Sequence, residues 1–274
     1  MLRLLRAHHV DEPVSAIEPL IRRDRAIGLA GLAALGVLAW GATVALARGS
    51  GHASMPGMVG AMTMPSQAVW HAADLAGLFA MWSVMMIAMM LPSAAPVAML
   101  VLGVLRRRHG AGLPFVATGA FLGGYLLIWL GYSAAATLAQ WALHSAALLA
   151  PDAMRAKPLA AGVLLLGAGV YQWTPLKRAC LAHCRSPFHF FATEWREGAA
   201  GALAMGLRHG TWCVGCCWLL MSLLFVAGVM NLAWVAVLAG LVLLEKATPA
   251  GPLIGRLAGV VLCGWGVWLA LWRG

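Results

Sequence analysis

The sequence predicts an all-α, polytopic bundle of membrane-spanning helices. Three observations lead there: 62% of the 274 residues are hydrophobic, only 10% are charged, and the mean hydropathy is +0.84. A soluble globular chain carries roughly 25% charged residues, so the apolar surface here must face lipid. The net charge of +10 does not point to nucleic acid. Lys and Arg sit in short clusters between apolar runs, the distribution of topology signals rather than of a binding stripe.

Seven apolar segments approach the roughly 20 residues that span hydrocarbon. They are approximately 27–47, 75–104, 114–140, 158–176, 205–229, 232–247 and 255–272. Residues 1–26 form a basic cytoplasmic arm. That arm, the first apolar run and Ala45-Leu46-Ala47 imitate a cleavable secretory signal, but both parts are too long for one, and the run reads as a retained helix. On the third segment, Gly119-Ala120 and Gly123-Gly124 predict close backbone approach between helices. The fourth ends in Tyr171-Gln172-Trp173, a pattern that suits interfacial anchoring. The sixth is short and follows a tight turn at Met230-Asn231, so the pair also fits a re-entrant hairpin, and six spans are an alternative to seven.

With the N-terminus inside, all but four of the 19 Lys and Arg residues (Arg48, Arg155, Lys157 and Arg273) fall on inner segments. The positive-inside rule therefore predicts a multi-pass protein of the cytoplasmic membrane, N-terminus in. Residues 27–272 then make one transmembrane domain, with an external loop at 48–74 and a cytoplasmic Cys/His loop at 177–204.

Sulfur is concentrated in this chain. Of 15 methionines, nine fall between 55 and 90. Met55, Met58, Met62 and Met64 lie in the external loop beside His52, where there is no core for Met to fill. Thioether sulfur is a neutral, soft donor that selects Cu(I) or Ag(I) over Zn(II) and hard cations, so this loop is a candidate capture site. Met81, Met85, Met86, Met89 and Met90 follow on the second span. At about 100° per residue, Met81, Met85 and Met89 share one broad helical face, which also suits ordinary packing. Pro92 and Pro96 project near it and would free backbone carbonyls.

His209, Cys213, Cys216 and Cys217 lie within an arc of roughly 100° on the fifth span. Four soft or borderline donors on one stripe can hold a metal or pass one along. Cys180, His183 and Cys184 follow Lys177-Arg178, placing a further donor group at the cytoplasmic surface. These cysteines also suit a juxtamembrane helix or palmitoylation. Glu245, at the end of an apolar run, has a charge role by default, with Lys246 snorkelling to the inner surface as the simpler reading. Asp74 reads as the N-cap of the second span.

Met81-Trp82 with the run from Met85 to Pro92, Thr174-Pro175-Leu176-Lys177 through Cys184-Arg185-Ser186-Pro187, Cys213 through Met221, Met230-Asn231 and Glu245-Lys246 occur here in one order. In these motifs, over roughly residues 25–270, the chain resembles a bacterial family of predicted metal-binding integral membrane proteins. That family is catalogued as a domain of unknown function and sometimes labelled copper chaperone. The resemblance implies a metal-related role.

The expectation is a membrane-embedded, non-enzymatic protein that captures, relays or delivers a soft metal, copper(I) first among them. Its partners would be the bilayer, the ion, and a copper-dependent enzyme or soluble metallochaperone. The chain has no nucleotide motif or phosphorylatable Asp motif with which to drive a pump. The competing expectation is membrane thiol–disulfide exchange by Cys213, Cys216 and Cys217 with Cys180 and Cys184, which leaves the methionines unexplained.

Overall fold

The computed structural model describes residues 12–49, 70–109, 114–149, 155–186 and 193–272. These residues form an all-α structure: α1 (Glu12–Gly49), α2 (Ala72–His109), α3 (Pro114–Ser145), α4 (Pro158–Tyr171), α5 (Pro175–Arg185), α6 (Gly198–Ser222), the single turn α7 (Leu224–Ala227), α8 (Leu232–Ala247) and α9 (Gly251–Trp272). Among the described residues, five segments are long and apolar enough to cross a membrane: Arg22–Gly49, Ala72–Arg106, Phe115–Ser145, Gly198–Ala227 and Gly251–Leu271. The pair α4 and α5, bent by 66°, makes a sixth if taken as one broken span. With 16 residues, α8 is shorter than these. Such a set of long apolar helices suits a multi-pass membrane protein.

Helix boundaries follow local chemistry. The α2 carboxylate Asp74 does not occupy the N-cap position itself. It sits inside the first turn, and its Oδ2 accepts from the His71 amide at 2.9 Å, as the reach-back half of a capping box does. Helix α2 continues through both Pro92 and Pro96. The break between α4 and α5 falls at Gln172, Trp173 and Thr174, just before Pro175, where a residue is biased away from helical geometry. Thr174 then caps α5, its Oγ1 accepting from the Lys177 amide at 3.2 Å. Helix α1 begins at Glu12, so the second half of the expected basic arm is helical.

The most extensive pairing is between α3 and α6, followed by α4 with α9, α2 with α3 and α1 with α2. The α3–α6 contact depends on two glycines. A Cβ at Gly124 would run into the Leu203 carbonyl, and one at Gly206 into that of Phe121. Here backbone meets backbone, and only Gly fits. Of the predicted small residues, Gly124 carries this contact, while Gly119 and Gly123 face open space. Helix α1 is peripheral, tied to α2 by an ion pair between Asp24 and Arg106. Tyr171 and Gln172 are buried rather than interfacial, and only Trp173 of that cluster is exposed.

Candidate functional site

Helix α6 turns its predicted donors inward. His209 is 3% exposed, and Cys213, Cys216 and Cys217 are each 1% exposed. The thiols of Cys216 and Cys217 both donate to the Cys213 carbonyl at 3.0 Å, which gathers the sulfurs around one helical turn. His209, a turn earlier, packs against the rings of Phe121 and Tyr125 on α3, with centroids at 5.9 and 5.8 Å.

The bend after α4 lays α5 along the middle of α6. Tyr171 donates its hydroxyl to the Gly215 carbonyl. Cys180 packs directly on Gly215, where an added Cβ would lie 2.8 Å from its sulfur. Cys184 packs against the core that holds Cys213 and Cys216, near enough for its thiol to interact with theirs. Two cysteine groups that are separate in the sequence are therefore one cluster in space. Within the segment expected as a loop from residue 177, the first part is helix, and this is what delivers Cys180 and Cys184. His183 turns elsewhere. Its Nδ1 lies 2.9 Å from the Ala179 carbonyl oxygen, and its ring stacks on Trp212 with centroids 4.2 Å apart.

Lys246 of α8 reverses the expectation that it reaches outward to the surface. Its Nζ donates to Cys213 Sγ at 2.9 Å and to Ser93 Oγ at 3.3 Å. Tyr125 Oη lies 3.1 Å from Cys213 Sγ and 3.1 Å from the Met90 carbonyl oxygen, to which Ser93 also donates at 2.9 Å. Residues from α2, α3, α6 and α8 thus meet in one polar knot around Cys213. Tyr125 and Ser93 are members that the sequence did not single out. A tyrosine or a serine within an apolar run is too common to signal a partner three helices away.

The methionine face leads into this knot. Met81, Met85, Met86, Met89 and Met90 are at most 3% exposed and share one continuous core with Cys180, Cys213, Cys216, Cys217 and Met221. At its far end the indole of Trp82 donates to Gln140 Oε1 at 2.7 Å and packs on Phe225. Among the described residues, no three His, Cys, Asp or Glu side chains converge on a point that could hold a metal ion. The proposed capture residues His52, Met55, Met58, Met62 and Met64 lie outside the described residues.

Glu245 is 1% exposed and forms a buried ion pair with Lys177, Nζ to Oε2 2.7 Å. Lys177 also donates to Gln172. An isolated buried charge costs several kcal/mol, so the pair neutralises two groups that neither helix could bury alone. It ties α5 to α8, the two helices that bring Cys184 and Lys246 to α6.

Residues 79–269 match the model of the PpoB2 family, described as a copper chaperone. The matched region starts within α2, two residues before Met81, and takes in every helix of the cysteine cluster. No curated protein and no solved structure matches the chain.

Proposed function

Because the chain belongs to the PpoB2 copper chaperone family, we propose that it is a membrane-embedded carrier of copper(I), with thioethers as its path and thiols as its holding site. The observation that carries this reading is the continuity of the buried Met face with the cysteine cluster. Met90 adjoins Tyr125 and Ser93, and Tyr125 adjoins Cys213. Thioether and thiolate sulfur suit Cu(I) or Ag(I) and discriminate against hard cations. Copper(I) accepts as few as two sulfur donors, so a pair among Cys184, Cys213, Cys216 and Cys217 is enough, without three converging groups.

Charge decides what else the site needs. Two thiolates around one Cu(I) carry a net charge of −1, and a buried unpaired charge is strongly unfavourable. The Lys246 ammonium at Cys213 supplies the missing +1. The bound complex is then neutral as a whole. In this proposal the ion is cargo, held by Cys213 with a neighbouring thiol and approached through Met81, Met85 and Met89.

The remainder of the proposal is topological. The bundle crosses the cytoplasmic membrane with its N-terminus inside, α8 completes a seventh crossing, and the loop containing His52, Met55, Met58, Met62 and Met64 collects the ion outside. A copper-dependent enzyme or soluble metallochaperone receives or supplies the ion on the Cys184 side. Thiol–disulfide exchange is the second reading, favoured by the packing of Cys184 against the core that holds Cys213 and Cys216.

Anaerobic Cu(I) titration of the detergent-purified protein against a competing chelator tests the proposal. One Cu(I) should be lost in Cys213/Cys216/Cys217→Ser, and loading should slow in Met81/Met85/Met89→Leu. Equal binding by all three proteins rules the copper reading out. Cys-dependent redox turnover with unchanged Cu(I) binding favours the second reading instead.

A further inference from the structure

Beside the α4–α5 bend is a cavity of about 400 Å³ between these helices and α9. Its polar lining is cationic: Lys177, Arg178, Arg185 and Arg256, together with Gln172, around a floor at Gly255. Lys177 is neutralised by Glu245. Arg178, Arg185 and Arg256 have no carboxylate partner among the described residues. Arg185 spends its guanidinium on the backbone carbonyls of Thr248 and Pro249, at 2.7 and 3.2 Å, which fixes it at the rim. Three positive charges thus line one opening, and among the described residues none of the three is paired with a carboxylate.

A second observation points to a ligand. Gln172 is 4% exposed and lines the cavity, yet its Nε2 has no hydrogen-bond partner. A buried amide donor left unpaired costs about 1–3 kcal/mol, so a donor kept at a cationic opening suits an incoming acceptor. Gly255 lets the buried Glu245 and Gln172 side chains come up to the lining, since a Cβ there would lie 3.0 Å from Glu245 Oε1 and 3.5 Å from Gln172 Oε1.

The surroundings identify the kind of anion. Trp173 in the bend, Leu176 of α5, and Leu253 and Leu257 of α9 are all large, apolar and exposed. A phosphate with hydrocarbon attached matches both halves of this surface, whereas a free ion matches only the charged half. We propose that the cavity binds the phosphate of an anionic phospholipid, with Arg178, Arg185 and Arg256 around the phosphate oxygens and the acyl chains along Trp173, Leu253 and Leu257. This rests on the membrane reading above but not on copper. Basic pockets between helices at the inner leaflet are suited to such headgroups. Occupancy would brace the α4–α5 bend, and with it the position of Cys184.

Native mass spectrometry of the full chain in detergent tests this, titrating short-chain phosphatidylglycerol, phosphatidylcholine and inorganic phosphate separately. Arg178→Gln/Arg256→Gln removes two exposed charges, and Arg208→Gln, whose guanidinium pairs with Glu194 elsewhere, is the control. Phosphatidylglycerol should bind the wild type and the control alike and the double variant about thirtyfold more weakly, at the usual worth of two basic charges at a membrane surface. Phosphatidylcholine should bind weakly to all three. Equal phosphatidylglycerol binding by all three proteins overturns the proposal. So does binding of inorganic phosphate with the same variant dependence when phosphatidylglycerol shows none, because the occupant is then a free anion. Release from membranes without detergent would fail the membrane reading itself. A detergent requirement combined with variant-independent lipid binding fails only the lipid site.

Discussion

The ammonium of the half-buried Lys246 lies 2.9 Å from the sulfur of Cys213, which is part of the core shared by α2, α3, α6 and α8. A lysine placed there is costly unless it serves a charge that is also buried. In the proposed function that charge is the copper–thiolate complex, and the consequence can be measured. Lys246→Met, close in length but neutral, should weaken Cu(I) affinity by at least a hundredfold, about 3 kcal/mol for a buried complex left with uncompensated charge. Lys246→Arg keeps the charge and should retain more of the affinity. Unchanged affinity in Lys246→Met would remove lysine from the site.

Glu245 and Lys177 should behave as a unit. Glu245→Gln or Lys177→Met alone strands a buried charge and should destabilise the protein by about 3–5 kcal/mol. Joining Lys177→Met with Glu245→Leu should recover most of that loss. Thermal unfolding in detergent, run as a double-mutant cycle, gives the comparison. Additive losses would show the two groups to be independent.

The α3–α6 contact should resist even a methyl group. At Gly206 an added Cβ meets the Phe121 carbonyl, so Gly206→Ala should cost about 1–3 kcal/mol, as overpacking does. Gly119→Ala, on the same pair of helices but facing open space, should not lower the unfolding temperature. Helix propensity favours Ala over Gly at both positions, so a similar loss at both sites would mean that close approach at Gly206 is not responsible.

Met81/Met85/Met89→Leu separates packing from ligation. Leu and Met have similar volumes, and such swaps usually cost under about 1.5 kcal/mol each. The variant should therefore stay folded while taking up Cu(I) or Ag(I) more slowly, as stopped-flow loading would show. Wild-type uptake in a folded variant would reduce these residues to core filling.

Much of this was legible in the sequence, and the exceptions have physical causes. Composition reveals apolar helices, and a 100° rotation per residue puts Cys213, Cys216 and Cys217 on one face, which the fold buries. Periodicity describes one helix at a time, however. Nothing in the sequence says that the bend before Pro175 swings Cys184 onto Cys213, or that Lys246 turns inward while Glu245 pairs with Lys177. These are relations between helices, set by where Gly215 and Gly206 permit close approach. His183 shows the converse. Its spacing to Cys180 and Cys184 suited a ligand, yet the ring stacks on Trp212.

X-ray absorption at the copper edge of the Cu(I)-loaded protein tests the central proposal most directly. The nearest neighbours of copper should be sulfur alone, and that signal should disappear in Cys213/Cys216/Cys217→Ser. Nitrogen or oxygen neighbours in the wild type, or an identical sulfur signal in the triple variant, would contradict it.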